Sequence, residues 1–288
     1  MKSIQNGSDT LPRPTLLSFN TVERLLNGDF FHTVHWETIC SELSRFPPDW
    51  ILAGVGTTNW YERNGETIIG GTVGHPTVHW SDPRSQDPMH VIDLLKEHPS
   101  PDGPDLVNPS LADTGNDPAF PFFAMGIGDP ASVVNLQIPE GVKLHDFLIR
   151  YFEEQNVGLA AVELSGAFRH VNYAAAFHLP LEGLGESDCY DADDSFRLAE
   201  REGGTWQVRG VYAANTTLQR IISVEGLPLH LHGYEETEMM GGHLSEVVAD
   251  SLEANIFPLK DFLLEIKNLD RAHLPVRPAP GSHSVRVV

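Results

Sequence analysis

The segment LHLHGYEETEMMGGHL, residues 229 to 244, constrains this chain more than any other stretch. Side chains alternate across a strand, so His230 and His232 project from one face, close enough for both imidazoles to reach a single ion. If the chain turns back near Thr237 and Glu238, the antiparallel register places His243 opposite His232, and all three rings share that face. Gly241 and Gly242 carry no side chain, which lets the returning strand approach closely. Three neutral imidazoles without thiolate or carboxylate match a catalytic zinc site, in which a fourth position stays open for water or substrate. Iron, manganese or nickel fit the same ligands. A lone H-x-H is ordinary in a half-buried strand; the third histidine in hairpin register is what points to metal.

The rest of the chain reads as short strands with a few helices. Residues 1–14 form a polar, Pro-containing tail, and Asn20 is placed to cap a helix over Thr21 to Asn27, with Gly28 as its stop. A second helix is expected over Thr38 to Arg45, ahead of Pro47-Pro48. WILAGVG and ETIIGGTV read as strands about a polar turn, and Ser81 to Pro118 as a long surface excursion around the helical stretch MHVIDLLKEH. FFAMGIG with SVVNLQI, and LAAVELSG with FRHVNYAAAF, read as strand pairs on either side of an amphipathic helix from Val142 to Glu154. Residues 182 to 203 read as an acidic solvated loop, and the remainder, LQRIISVEG included, as strands with short turns. The expected fold is mixed α/β (α+β), with largely antiparallel β-sheets in two lobes and a few flanking helices. An N-terminal lobe spans 15–137, a β-rich metal-binding lobe 138–273, and a Pro-rich tail 274–288.

Charge narrows the partners. Lys and Arg total 19 against 40 Asp and Glu, a net charge of −21, which repels nucleic acid and anionic membranes. Cys40 and Cys189 form neither a disulfide framework nor a thiolate metal site, so a reduced, cytoplasmic setting is expected. The chain has neither a signal-like start nor an apolar run of about 18 residues, and a soluble, unanchored protein is expected.

HLHGYEETEMMGGHL resembles the metal-binding segment of the α-acetolactate decarboxylase family, an H-x-H followed by Gly-Gly-His. The same short pattern occurs in the plant and prokaryote conserved domain, a smaller module. The flanks favour the decarboxylases: LLSFNTVERLLNGDF is similar to that family's opening helix, and GVGTTNWYERNGETIIGG to its G-T-F…L-D-G-E segment. PFFAMGIGD and LAAVELSGAFRHVNY follow in the family's order, so the resemblance runs over residues 15 to 268. It implies zinc held by His230, His232 and His243, and chelation of a 2-hydroxy-3-keto acid through its hydroxyl and carbonyl oxygens. Carbon dioxide would then leave, with a metal-stabilised enediolate protonated by the enzyme. It further implies Glu66 as the acid and base, and a homodimer joined through sheet edges.

Two departures stand out. The arginine that ends the family's F-x-x-V-x-x-R segment is Ala174 here, in FRHVNYA, so either Arg169 substitutes as the carboxylate anchor or the substrate has changed. The L-D before the glutamate is Arg63-Asn64. Both suggest a divergent member acting on a related hydroxy-keto acid, β-keto acid or hydroxy-ketone, as would suit secondary metabolism. Two alternatives stay open: an isomerase or ketol rearrangement enzyme that keeps the metal chemistry without losing carbon dioxide, and a binding protein with structural histidines. His75 and His79 are further candidates to line the pocket, Met239 and Met240 sit at the hairpin tip, and the run Asp188 to Asp194 lacks the glycine and distal glutamate of a calcium loop.

Overall fold

The computed structural model describes residues 12–26, 32–60, 63–81, 90–97, 118–176, 196–223, 226–265 and 286–287. Residues 1–11 of the expected tail, His178, Cys189, the Asp188 to Asp194 run and most of the Pro-rich end lie outside the described residues.

Two antiparallel-dominated sheets stack face to face. The first is built from β1 (Thr15–Phe19), β2 (Val34–His35), β3 (Ile51–Trp60), β4 (Arg63–Gly71), β5 (Pro76–Ser81), β6 (Val91–Asp93) and β7 (Ala119–Gly128). The second holds β8 (Val134–Ile138), β9 (Leu159–Ala176), β10 (Phe196–Glu202), β11 (Thr205–Ala213), β12 (Leu229–Glu235) and β13 (Met240–Pro258). The chain then returns to the first sheet with β14 (Asp261–Glu265) and β15 (Arg286–Val287). Strand order is β15-β14-β1-β7-β3-β4-β5-β6 in the first sheet, with β2 beside β7, and β10-β9-β11-β12-β13-β8 in the second. An additional β9–β13 pairing curls the second sheet back on itself.

The helices are α1 (Val22–Leu26), α2 (Trp36–Leu43), α3 (Leu94–Glu97), α4 (Leu144–Glu154) and α5 (Thr216–Ile222). Alternation along the strands sorts the apolar side chains into layers. Ile39 and Leu43 of α2 pack with Leu52, Ile69, Trp80 and Phe123 on the outer face of the first sheet. Leu144, Leu148 and Phe152 of α4 pack with Val162, Val208 and Leu231 of the second. Between the sheets lie Val55, Phe122, Ala161, Val211, Ile222 and Phe257. No helix among the described residues is long and apolar enough to cross a membrane.

The mixed, largely antiparallel architecture agrees with the sequence expectation, and several local readings are corrected. Asn20 does not cap α1: it adopts φ 55° and its side-chain amide donates to the His32 and Pro121 carbonyls, while Thr21 Oγ1 accepts the Arg24 N–H at 3.1 Å. LQRII is helical, because Asn215 accepts N–H bonds from Thr217 and Leu218 at 2.9 and 3.2 Å and starts α5. FFAMGIG and SVVNLQI are not partners, since a short 3-10 turn at Pro130–Ser132 carries the chain to the other sheet. LAAVELSG and FRHVNYAAAF form no hairpin but one strand of 18 residues, bent at Gly166, where φ is 137°, and held along β13 by bulged pairing. Part of the expected acidic loop, Phe196–Glu202, is the edge strand β10.

Candidate metal centre

The hairpin of β12 and β13 pairs His232 with His243 and Gly233 with Gly242, the register that the histidine spacing requires. Gly242 is where the returning strand closes in. A Cβ there would lie 2.2 Å from the Ala174 carbonyl oxygen of β9, so only glycine fits. Gly242→Ala is expected to destabilise the fold by about 2–4 kcal/mol in urea denaturation, as overpacking against a fixed backbone does; an unchanged midpoint would contradict the close approach.

Three ring nitrogens converge. His230 Nε2 is 2.9 Å from His232 Nε2 and 3.1 Å from His243 Nδ1, and the last two are 3.4 Å apart. In a tetrahedral site with metal–nitrogen bonds of about 2.0–2.1 Å, ligand nitrogens stand about 3.3 Å from each other, so the three rings already describe one face of such a site. The opposite ring edges fix the tautomers: His230 Nδ1 donates to the Ile222 carbonyl at 2.6 Å, and His232 Nδ1 to the Thr67 carbonyl at 2.9 Å. With those protons spent, the two Nε2 lone pairs face each other across 2.9 Å, and one hydrogen on His243 Nδ1 could serve only one of the contacts. A cation resolves that crowding. The donor set therefore fits a divalent metal, and these three residues are the group among the described residues whose atoms could share one ion.

Burial sets the charge state. His230 and His232 are 4% and 1% exposed, and desolvation pushes the His230 imidazole down to about 4, with the Ile222 carbonyl opposing and His145 assisting. His232 and His243 lie well below the ordinary value, through desolvation first and then their histidine neighbours. All three are neutral at pH 7, the form that binds metal. In metal-free protein the unfolded chain then binds more protons than the native one between the two pKa values, so stability rises with pH there. Acidification from about 6.5 to about 4 should cost on the order of 3 kcal/mol from His230 alone. Urea midpoints at the two ends of that window, measured in chelator, check this; equal midpoints would contradict buried neutral rings.

Glu66 comes from the other sheet. Its side chain, 9% exposed, places Oε2 at 3.4 Å from His232 Nε2, while its backbone N–H donates to Ser81 Oγ at 2.8 Å. The dipeptide Glu66-Thr67 thus touches both nitrogens of one ring, the carboxylate at Nε2 and the next carbonyl at Nδ1. Phe122 of β7 lies nearly parallel to the His230 ring, with centroids 6.3 Å apart, and walls the cluster with apolar surface.

The structure brings together His230, His232, His243 and Glu66. It puts Arg169 elsewhere, half exposed, in ion pairs with Glu140 and Asp250 near the turn into α4. His79 stacks on Tyr234, two positions beyond His232, with ring centroids 4.4 Å apart, whereas His75 is exposed on a turn. The Met239 carbonyl accepts the Val91 N–H and ties the hairpin tip to β6. Sequence reading missed Thr67, whose contribution is a carbonyl that any residue could supply. It also missed His145, at the start of α4, which burial lowers to about 4 and whose charge acts on His230 and His243.

Solved structures with this architecture include α-acetolactate decarboxylases. One from Bacillus subtilis strain 168 matches with a TM-score of 0.64 at 15% identity, over 89% of this chain and 90% of that one. The fold is that of the α-acetolactate decarboxylases. A second acetolactate decarboxylase, from Bacillus subtilis subspecies spizizenii, gives 0.61 at 16% identity over 89% and 91% of the two chains. A Staphylococcus aureus protein of unknown function, described as similar to α-acetolactate decarboxylase, gives 0.60 at 14% over 88% and 89%. No protein-family model and no curated protein sequence matches the chain.

Proposed function

We propose that this chain is a metal-dependent carboxy-lyase related to α-acetolactate decarboxylase, releasing carbon dioxide from a small 2-hydroxy-3-keto or β-keto acid. The observation that carries this reading is the convergence of three neutral imidazole nitrogens, 2.9–3.4 Å apart, in a fold shared with those enzymes. His230 Nε2, His232 Nε2 and His243 Nδ1 would hold the ion, with zinc the first choice by ligand chemistry. When bound, a divalent cation supplies Lewis acidity to an oxygen beside the bond that breaks.

The protein's own groups do the rest. Neutral ligands leave the ion's charge undiminished, and the carbonyls of Ile222 and Thr67 hold two of the rings in the tautomer that presents Nε2. Glu66, buried beside His232, is the group placed to take up and return a proton. Phe122 and Val55 exclude water from the inter-sheet space, which strengthens electrostatic effects there. A small-molecule substrate, a homodimer and a cytoplasmic setting belong to the same reading.

A second reading is favoured by Ala174, which stands where the resemblance leads one to expect a carboxylate-binding arginine: isomerisation of a hydroxy-ketone without carbon dioxide loss. Incubating metal-loaded protein with 2-acetolactate and following gas release and products separates the two. Carbon dioxide with the matching hydroxy-ketone supports the lyase. A rearranged product without gas supports the isomerase, and no turnover of any hydroxy-keto acid, β-keto acid or hydroxy-ketone in a panel contradicts both.

A further inference from the structure

We propose that Arg209 is the anion anchor of this site, binding the carboxylate of an acidic substrate beside the histidines. The proposal rests on reading the site as one for a small hydroxy-keto acid, and adds a residue that specifies its charged end.

Strand register lines up a row across the second sheet. Leu244 pairs with Tyr173, which sets Ala174 alongside His243; His243 pairs with His232, His232 with Arg209, and Arg209 with Glu163. Cross-strand partners share a face, so Arg209 projects on the same side as the histidines, into the space between the sheets. The row carries a small side chain at one end and a buried cation at the other flank of the metal ligands.

The hydrogen-bond inventory of that cation is incomplete. Its side chain is 12% exposed, and Nη2 pairs with Glu163 Oε1 at 2.6 Å. Nη1 donates to Gln207 Oε1 at 3.2 Å and to the Val208 carbonyl at 3.0 Å. Nε is buried and has no acceptor. Glu163 is itself held by Asn255 Nδ2 at 3.2 Å, so the guanidinium is fixed from the side away from His232. A buried N–H on a charged group left without an acceptor is costly and rare, and a ligand oxygen at that position would satisfy it. Gly70 of β4 faces the same edge. A Cβ there would come within 2.9 Å of Nε and 3.2 Å of Thr77 Oγ1, so a residue without a side chain lies against that edge of the guanidinium, with a hydroxyl beside it. A planar carboxylate is the anion that a guanidinium edge best accommodates.

Unreactive probes test this. Metal-loaded wild type, Arg209→Met and Arg209→Lys are titrated by calorimetry with 2,3-dihydroxy-2-methylbutanoate, which offers chelating oxygens and a carboxylate, and with its uncharged methyl ester. The anchor role predicts that Arg209→Met weakens the acid about 10- to 100-fold, leaves the ester within about 2-fold, and keeps its metal. Arg209→Lys retains the charge opposite Glu163 but lacks the Nε–H, and should also favour the ester over the acid relative to wild type; it decides the matter if the methionine variant fails to fold. Equal weakening of both probes, or of neither, overturns the proposal. If neither probe binds metal-loaded wild type, the hydroxy-keto acid reading itself falls, and Arg209 as its anchor falls with it.

Discussion

Glu66→Gln should lower turnover by about 10²–10⁴-fold, the usual loss when a positioned acid or base is removed, while metal content stays unchanged. Glutamine keeps the length and planarity of the side chain, and the backbone N–H would still donate to Ser81 Oγ, so β4 and the Thr67 carbonyl should stay where they are. What is lost is an oxygen, 3.4 Å from His232 Nε2, able to carry a proton. Steady-state rates with parallel elemental analysis check the claim. A fall of less than about 3-fold would exclude Glu66 as the proton-handling group, and loss of metal along with activity would assign it to holding the ion instead.

The largest effect is expected from changing His230 and His232 together to alanine, which should abolish both metal retention and activity while leaving a folded protein. Removing two of three ligands leaves a single imidazole, too weak alone to retain a divalent ion. Structurally, the rings are not pillars of the apolar layers, which Val55, Phe122, Ala161 and Phe257 fill between the sheets. In metal-free protein the change also removes facing lone pairs 2.9 Å apart. The vacated volume and the freed Ile222 and Thr67 carbonyls oppose that gain, with a net cost of about 1–4 kcal/mol. Circular dichroism with thermal melting reads this out. A variant that is unfolded at room temperature would favour histidines whose purpose is structural.

The histidine hairpin was legible in the sequence because it is local. A period of two places His230 and His232 on one face, and a glycine pair permits the return of His243. The remainder of the site depends on pairing and packing between strands distant in sequence, which no short pattern encodes. Glu66 reaches His232 across 165 intervening positions, and its assignment came from resemblance, not from spacing. Arg209 looks like any strand cation until the register sets it beside His232 and its Nε is found without an acceptor. Among the elements, LQRII reads as a strand in a run of strands, although Asn215 caps it as a helix. The long strand β9 reads as two because it bends at Gly166, and a bend in a strand and a turn between strands favour the same residues.

The most direct test of the central claim is the metal content of the purified wild-type protein by elemental analysis, after dialysis against metal-free buffer. The account predicts about one divalent ion per chain, zinc first, as an open three-histidine centre requires. No metal as purified, and none taken up from added zinc, manganese, iron or nickel, would contradict it.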